Sequence, residues 1–141
     1  MTLVLSVSEI VKAREEANNL GLLARHDSWP REALGELVDI QNGFPFKSAQ
    51  FNNAGNGTPL IRIRDVGQDR TETWYEGEFD DSYLVSRGDL LVGMDGDFRL
   101  SRWSGVNALL NQRVCRIAVK SSRILGKYVE LVVPGYLEAI W

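Results

Sequence analysis

From residue 29 onward, apolar residues come in short runs cut apart by clusters of Gly, Asn and Asp. That punctuation leaves strands joined by loops as the simplest way for this chain to build a core. The runs at 37–41, 59–66, 89–94 and 112–119 read as strands. In Ile61-Arg62-Ile63-Arg64 the side chains alternate, placing the isoleucines on one face and the arginines on the other. The connections at 42–58 and 67–82 run past the usual length in a compact domain, which marks them as binding loops.

The two ends read differently. Ser6-Val7-Ser8-Glu9 fits a capping box, with the Ser side chain satisfying one orphan amide and the Glu another. A helix is expected over 7–20, stopped by Gly21 after Asn18 and Asn19. Its polar face carries Lys12, Arg14, Glu15 and Glu16, so it docks as an arm. A second helix is expected over 124–140, broken or kinked at Pro134-Gly135. The fold class that follows is α/β in the α+β sense, with a helical arm over 1–28 and a mostly β domain with a C-terminal helix over 29–141.

With 141 residues, 44% of them hydrophobic, the chain can bury one core without metal or disulfide staples. Cys115 is the only cysteine, which excludes an intrachain disulfide and a cysteine-based zinc cage. It alternates with Ile117 and Val119 and reads as a small core residue in a reducing, cytoplasmic setting. No run approaches the roughly 18 apolar residues of a membrane span, and residues 1–10 lack a secretory pattern.

A formal net charge of −3 excludes binding of polyanions by bulk charge alone. Its distribution is more informative than its sum. Residues 65–97 hold ten acids and two bases, whereas residues 98–127 hold seven bases (Arg99, Arg102, Arg113, Arg116, Lys120, Arg123, Lys127) and no acid. Such a run is either a solvated face or a patch for an anionic partner.

Four segments carry the remaining information. They are Asn42-Gly43-Phe44-Pro45-Phe46-Lys47-Ser48, Pro59-Leu60-Ile61-Arg62-Ile63-Arg64-Asp65-Val66, Gly88-Asp89-Leu90-Leu91-Val92-Gly93-Met94-Asp95-Gly96-Asp97-Phe98 and Ala108-Leu109-Leu110-Asn111-Gln112-Arg113-Val114. In this order, with Trp29 and Leu34-Gly35-Glu36 ahead of them, they resemble the target recognition domain of the DNA specificity subunit of Type I restriction-modification systems, over roughly residues 29–141. The resemblance implies a non-catalytic module without a cofactor of its own, which reads one half of a bipartite duplex DNA target. It also implies a methyltransferase subunit that uses S-adenosylmethionine as the partner, and through it the restriction subunit. A complete family member usually carries two such domains separated by helices, and this sequence contains one.

Specific DNA binding needs phosphate contacts that set register and base-edge contacts that carry sequence information. Lys47, Ser48, Arg62, Arg64, Asp95, Asp97, Arg99, Arg102, Trp103, Asn111, Gln112 and Arg113 are the candidate DNA-binding residues. Lys47, Arg64, Arg99, Arg102 and Arg113 can neutralise phosphates, while Asn, Gln and Arg can pair with adenine or guanine edges in the major groove. Asn111-Gln112-Arg113 holds all three types, although Asn111 and Gln112 can equally stitch a turn to the next strand. Arg62 and Arg64 are either DNA ligands or partners in strand-surface ion pairs, with Asp65 adjacent. Trp103, like Trp29 and Trp74, either stacks on a base or closes a core.

Asp95-Gly96-Asp97 has two readings. Paired carboxylates beside a basic run can hold a divalent metal for phosphodiester cleavage. Alternatively Gly96 makes a tight turn while the aspartates satisfy loop amides, pair with Arg99 or Arg102, or accept from a cytosine amino group. Three functions are therefore carried forward: a DNA-recognition module, a half-sized protein that acts through assembly or self-association by its N-terminal helix, and a metal-dependent nuclease.

Overall fold

The computed structural model of the chain describes Ser28, residues 30–96 and residues 98–140. The expected helix over 7–20, Trp29 and Asp97 lie outside the described residues. Among the described residues, nine strands form two sheets. Strands β1 (Val38–Asn42), β6 (Leu90–Gly93), β7 (Leu100–Arg102) and β9 (Val114–Val119) build an antiparallel sheet in the order β1-β9-β6-β7. Strands β2 (Phe51–Asn52), β3 (Thr58–Ile61), β4 (Trp74–Tyr75), β5 (Leu84–Val85) and β8 (Ala108–Leu110) build a mixed sheet in the order β2-β4-β3-β8-β5. In that sheet β3 and β8 run parallel, pairing Leu60 with Leu109 and Ile61 with Leu110.

Period-two alternation sorts the core into three layers. On β6, Leu91 faces the five-stranded sheet and packs with Ile61, Val85, Leu110, Val114 and Trp103. Its neighbours Leu90 and Val92 face the other way and join Val38, Cys115 and Ile117 beneath Val129 and Val133 of the C-terminal helix (Gly126–Ile140). On the far face of the second sheet, Leu60 and Leu109 lie under Phe46 and Tyr75, with Phe51, Phe79 and Tyr83 packed around them. The order of layers is helix, four-stranded sheet, five-stranded sheet, aromatic-bearing loops.

Four differences from the sequence reading have physical causes. The strand expected over 59–66 ends at Ile61, and Ile63–Asp65 is a 3-10 turn. The Asp65 carboxylate accepts from the Arg62 amide at 2.8 Å, which takes a backbone donor from the ladder and bends the chain. The long connections contain short strands, β2 in the first and β4 in the second, that satisfy loop amides locally. Pro134 sits inside a continuous helix, since its fixed φ suits a helix and the Val129–Val133 face still packs on the sheet. Strand β8 went unread because its three residues, all buried, are too short to show a period; it pairs in parallel with β3, Leu60 opposite Leu109. No helix among the described residues is long and apolar enough to cross a membrane.

Candidate nucleic-acid interface

Three chain segments meet at the end of β6. The 3-10 turn Ile63–Asp65 comes in over Gly93, where a side-chain carbon would lie 3.1 Å from Ile63 Cγ1. The β6–β7 turn follows, with Gly96 at φ +69°, a left-handed conformation that glycine adopts without strain. Residues 111–113 carry the chain from β8 in one sheet to β9 in the other. Ile63, Val66 and Gly93 floor a shallow cleft, and Arg64, Asp95 and Arg99 stand around it.

Each charged group at this rim is positioned by a specific contact. Asp65 is buried, holds the Arg62 amide and lies 3.9 Å from Arg64 Nε, so it shapes the turn that presents Arg64. Arg99 passes over Gly67, which has φ +83° and whose missing side chain leaves room for the Arg99 Cδ. Arg113 Nη1 donates to Asp95 Oδ2 at 2.9 Å. The Arg113 carbonyl accepts from the Met94 amide at 2.8 Å, tying the inter-sheet connection to the turn after β6. Behind it, the Gln112 amide donates to the Phe44 carbonyl and the Phe44 amide to the Leu110 carbonyl. The Phe44 ring rests against Phe46 and Tyr83, at centroid distances of 5.0 and 5.3 Å, with its outer edge exposed.

The structure thus gathers Arg64, Asp95, Arg99 and Arg113, with Arg62 and Gln112 at the margin, and leaves Lys47, Ser48 and Arg102 elsewhere. Lys47 and Ser48 are exposed at the 3-10 turn Ser48–Gln50, which is tied to Tyr75 through the Gln50 side chain. Arg62 is exposed just ahead of the Ile63–Asp65 turn, and Gln112 is exposed beside Arg113. Arg102 lies on the helix side of the first sheet, donating to Glu130 at 3.0 Å and to the Gly88 carbonyl at 2.7 Å.

Trp103 is only 1% exposed, with its ring in the inter-sheet core and its Nε1 donating to the Val106 carbonyl, so it cannot stack on a base. Asn111 is 6% exposed; its backbone carbonyl accepts from Val114 and stitches the turn, and its side chain is enclosed with Oδ1 unpartnered. Asp95 pairs with Arg113, not with Arg99 or Arg102. The acid-free run is not a free cationic patch. Arg102 pairs with Glu130, Arg113 with Asp95, Arg116 with Asp89, Lys120 with Asp39, Arg123 with Glu32 and Lys127 with Glu130. Among the described residues Arg99 alone of the seven bases makes no ion pair. The acidic stretch is likewise dispersed into turns. Asp69 accepts from the Ser104 amide and Asp89 from the Ser86 amide. Asp80 accepts from the backbone and side chain of Ser82, which holds its carboxyl below the usual aspartate range.

Sequence reasoning missed the exposed apolar residues Phe44 and Met94 that border the rim. Their signal was present as large apolar side chains inside Gly- and Asp-rich loops, where a core has no use for them. No cluster of three or more His, Cys, Asp or Glu side chains able to hold a metal occurs among the described residues.

The chain was compared with known proteins. No family model matches it. It is 46% identical over 136 residues to the Type I restriction enzyme EcoBI specificity subunit of Escherichia coli, a match that covers 96% of this chain and 29% of that subunit. The chain therefore spans less than a third of the length of that relative. Its fold is shared with the HsdS subunit of Thermoanaerobacter tengcongensis at a TM-score of 0.61 and 19% identity, over 94% of this chain and 35% of the other. A chain from a structure describing complex assembly and conformational transition of the type I R-M system superposes at a TM-score of 0.58 and 19% identity, over 95% of this chain and 37% of the other. The expected resemblance is borne out: over 96% of its length the chain is similar to a specificity subunit of a Type I restriction enzyme, and its two sheets and C-terminal helix share the fold of HsdS chains.

Proposed function

We propose that this chain reads DNA sequence, binding one half of a bipartite duplex target and presenting it to a methyltransferase subunit and, through that, to a restriction subunit. The observation that carries this reading is the 46% identity with a Type I specificity subunit along 96% of the chain. The rim supports it chemically, because Arg64, Arg99 and Arg113 bring three guanidinium groups to one edge of the fold beside exposed Gln112. In this reading the chain is not an enzyme, the reaction belongs to the partner subunits, and the setting is cytoplasmic.

The test is a selection of the purified chain, alone and with a Type I methyltransferase subunit, against a random duplex library at two salt concentrations. A short defined half-site, bound more weakly as salt rises in the manner of counterion release, is the expected result. Loss of sequence selection in both conditions, with circular dichroism showing an intact fold, would overturn it.

A second reading, assembly, is favoured by one observation. Leu125, just ahead of the C-terminal helix, and Tyr128 and Leu131 on it are exposed, while the helix buries Val129 and Val133 against the sheet. A Leu131→Glu chain that still selects DNA but no longer binds the methyltransferase subunit would place a protein contact there. A chain that binds both equally well would remove it.

A further inference from the structure

We infer that Arg113, oriented by Asp95, reads a guanine within the half-site, while Arg64 and Arg99 beside it hold phosphates. This rests on the DNA-reading function proposed above and assigns the base-specific contact within it.

Arg113 adopts φ +68°, in the left-handed region where a residue with a Cβ is disfavoured and where glycine or asparagine would sit with less strain. The strain is held in place by the surrounding backbone: the Arg113 carbonyl accepts from Met94, the Gln112 amide donates to Phe44 and the Val114 amide to the Asn111 carbonyl. Strained positions over-determined by their neighbours concentrate at functional sites. Fold stability does not account for an arginine here. The pair with Asp95 is open to solvent, with the side chains 67% and 58% exposed, and ion pairs of that kind contribute little.

Among the described residues the contact is a single one, Nη1 to Oδ2, so Nε and Nη2 keep donors on a side chain that is 67% exposed. Two such donors in a planar fork match the O6 and N7 acceptors of guanine in the major groove. Asp95 fixes the plane of that fork, so Asp95 is a positioning residue. The carboxylate offsets the guanidinium charge, which weakens its pull on a phosphate, and leaves a directional fork suited to a base edge. Arg99 has no ion pair among the described residues and Arg64 only the 3.9 Å approach to Asp65, which suits both to phosphates on either side of the cleft.

The experiment repeats the library selection with the wild-type chain and with Arg113→Ala, Arg113→Gly, Asp95→Asn and Arg99→Gln. Arg113→Ala should erase preference at one guanine by on the order of tenfold or more while other positions keep theirs. Replacing that guanine with 7-deazaguanine should weaken the wild type and leave Arg113→Ala unaffected. Arg113→Gly relieves the left-handed strain, so it should unfold at an equal or higher temperature and still lose the guanine. A merely structural arginine would keep the guanine in that variant. Asp95→Asn should blunt the same position only, and Arg99→Gln should weaken all sequences alike. A wild-type half-site without guanine, or full preference retained by Arg113→Ala and Arg113→Gly, overturns the assignment and leaves the DNA-reading function standing. No selected half-site for the wild type overturns both.

Discussion

The guanidinium of Arg116, on β9, lies 3.1 Å from the carboxylate of Asp89, beside β6 of the same sheet, and reaches across to β5 of the other sheet. It also donates to the carbonyls of Leu84 on β5 and Ser82 and to the Gln41 side chain of β1. Arg116→Ala removes these part-buried, charge-assisted hydrogen bonds together and is expected to cost about 2 kcal/mol. Arg123→Ala breaks an exposed pair with Glu32 and should cost less than about 0.5 kcal/mol. Urea unfolding of both variants, followed by circular dichroism, checks this; equal midpoints would refute the inter-sheet role.

Gly43 is enforced by close approach of two backbones. A side-chain carbon there would lie 1.9 Å from the Asn111 carbonyl oxygen and 2.9 Å from that of Val114. Gly43→Ala must push the Phe44 loop off the 111–113 connection, with an expected loss of about 3 kcal/mol and lost DNA selection. Gly35, in the short helix Leu34–Leu37, has nothing near it, so Gly35→Ala should change stability by less than about 1 kcal/mol and leave binding alone. The comparison is again a pair of urea curves.

Glu130 couples the C-terminal helix to β7. The hydrogen bond from Arg102 foremost, with help from Lys127, holds its carboxyl below the ordinary glutamate value of 4.5, against the opposing effect of burial. A depressed carboxyl stabilises the fold fully above 4.5 and loses that contribution as pH falls through the lowered native value. Glu130→Gln should therefore melt lower than wild type at neutral pH, with the gap closing in acid below 4.5. A gap that stays constant with pH would show that the charge is irrelevant.

Cys115 reports on unfolding. Burial between β9 and the C-terminal helix pushes its thiol up from 9.0, and the thiolate is the reactive form. A disulfide exchange reagent at neutral pH should react slowly with the folded chain and rapidly in urea, with one thiol per chain. Fast reaction under native conditions would mean the helix does not stay docked.

Arg99 and Arg102 are three positions apart in sequence and lie on opposite faces of the four-stranded sheet. Arg99→Gln should lower DNA affinity across sequences and reduce the slope of log affinity against log salt by about 1. Arg102→Gln should leave that slope unchanged and lower the melting temperature through loss of Glu130. Binding titrations at several salt concentrations, beside thermal melts, distinguish the two; identical slopes would remove the phosphate contact from Arg99.

Much of the first sheet was legible along the chain. Leu90, Leu91 and Val92 form a fully buried run between polar turns, and Cys115 alternates with Ile117, so β6 and β9 follow from pattern alone. The second sheet was less legible. Strands β2, β4 and β5 are two residues long and carry almost no periodic signal. Arg64, Asp95, Arg99 and Arg113 were among the twelve candidates picked by residue type, which did not separate them from the other eight.

The sequence by itself determined the class of fold, the layering of apolar faces and the supply of cations and amides in loops, because each depends on neighbours within a few residues. Tertiary structure decided which of those groups are available. It enclosed Trp103 and Asn111, enlisted Arg102 and Arg116 in scaffolding and brought Arg64, Arg99 and Arg113 to one edge. The physical reason is that charge pairing and burial act over ångströms in space. Asp89 and Arg116, 27 residues apart in sequence, meet only when β6 and β9 pair.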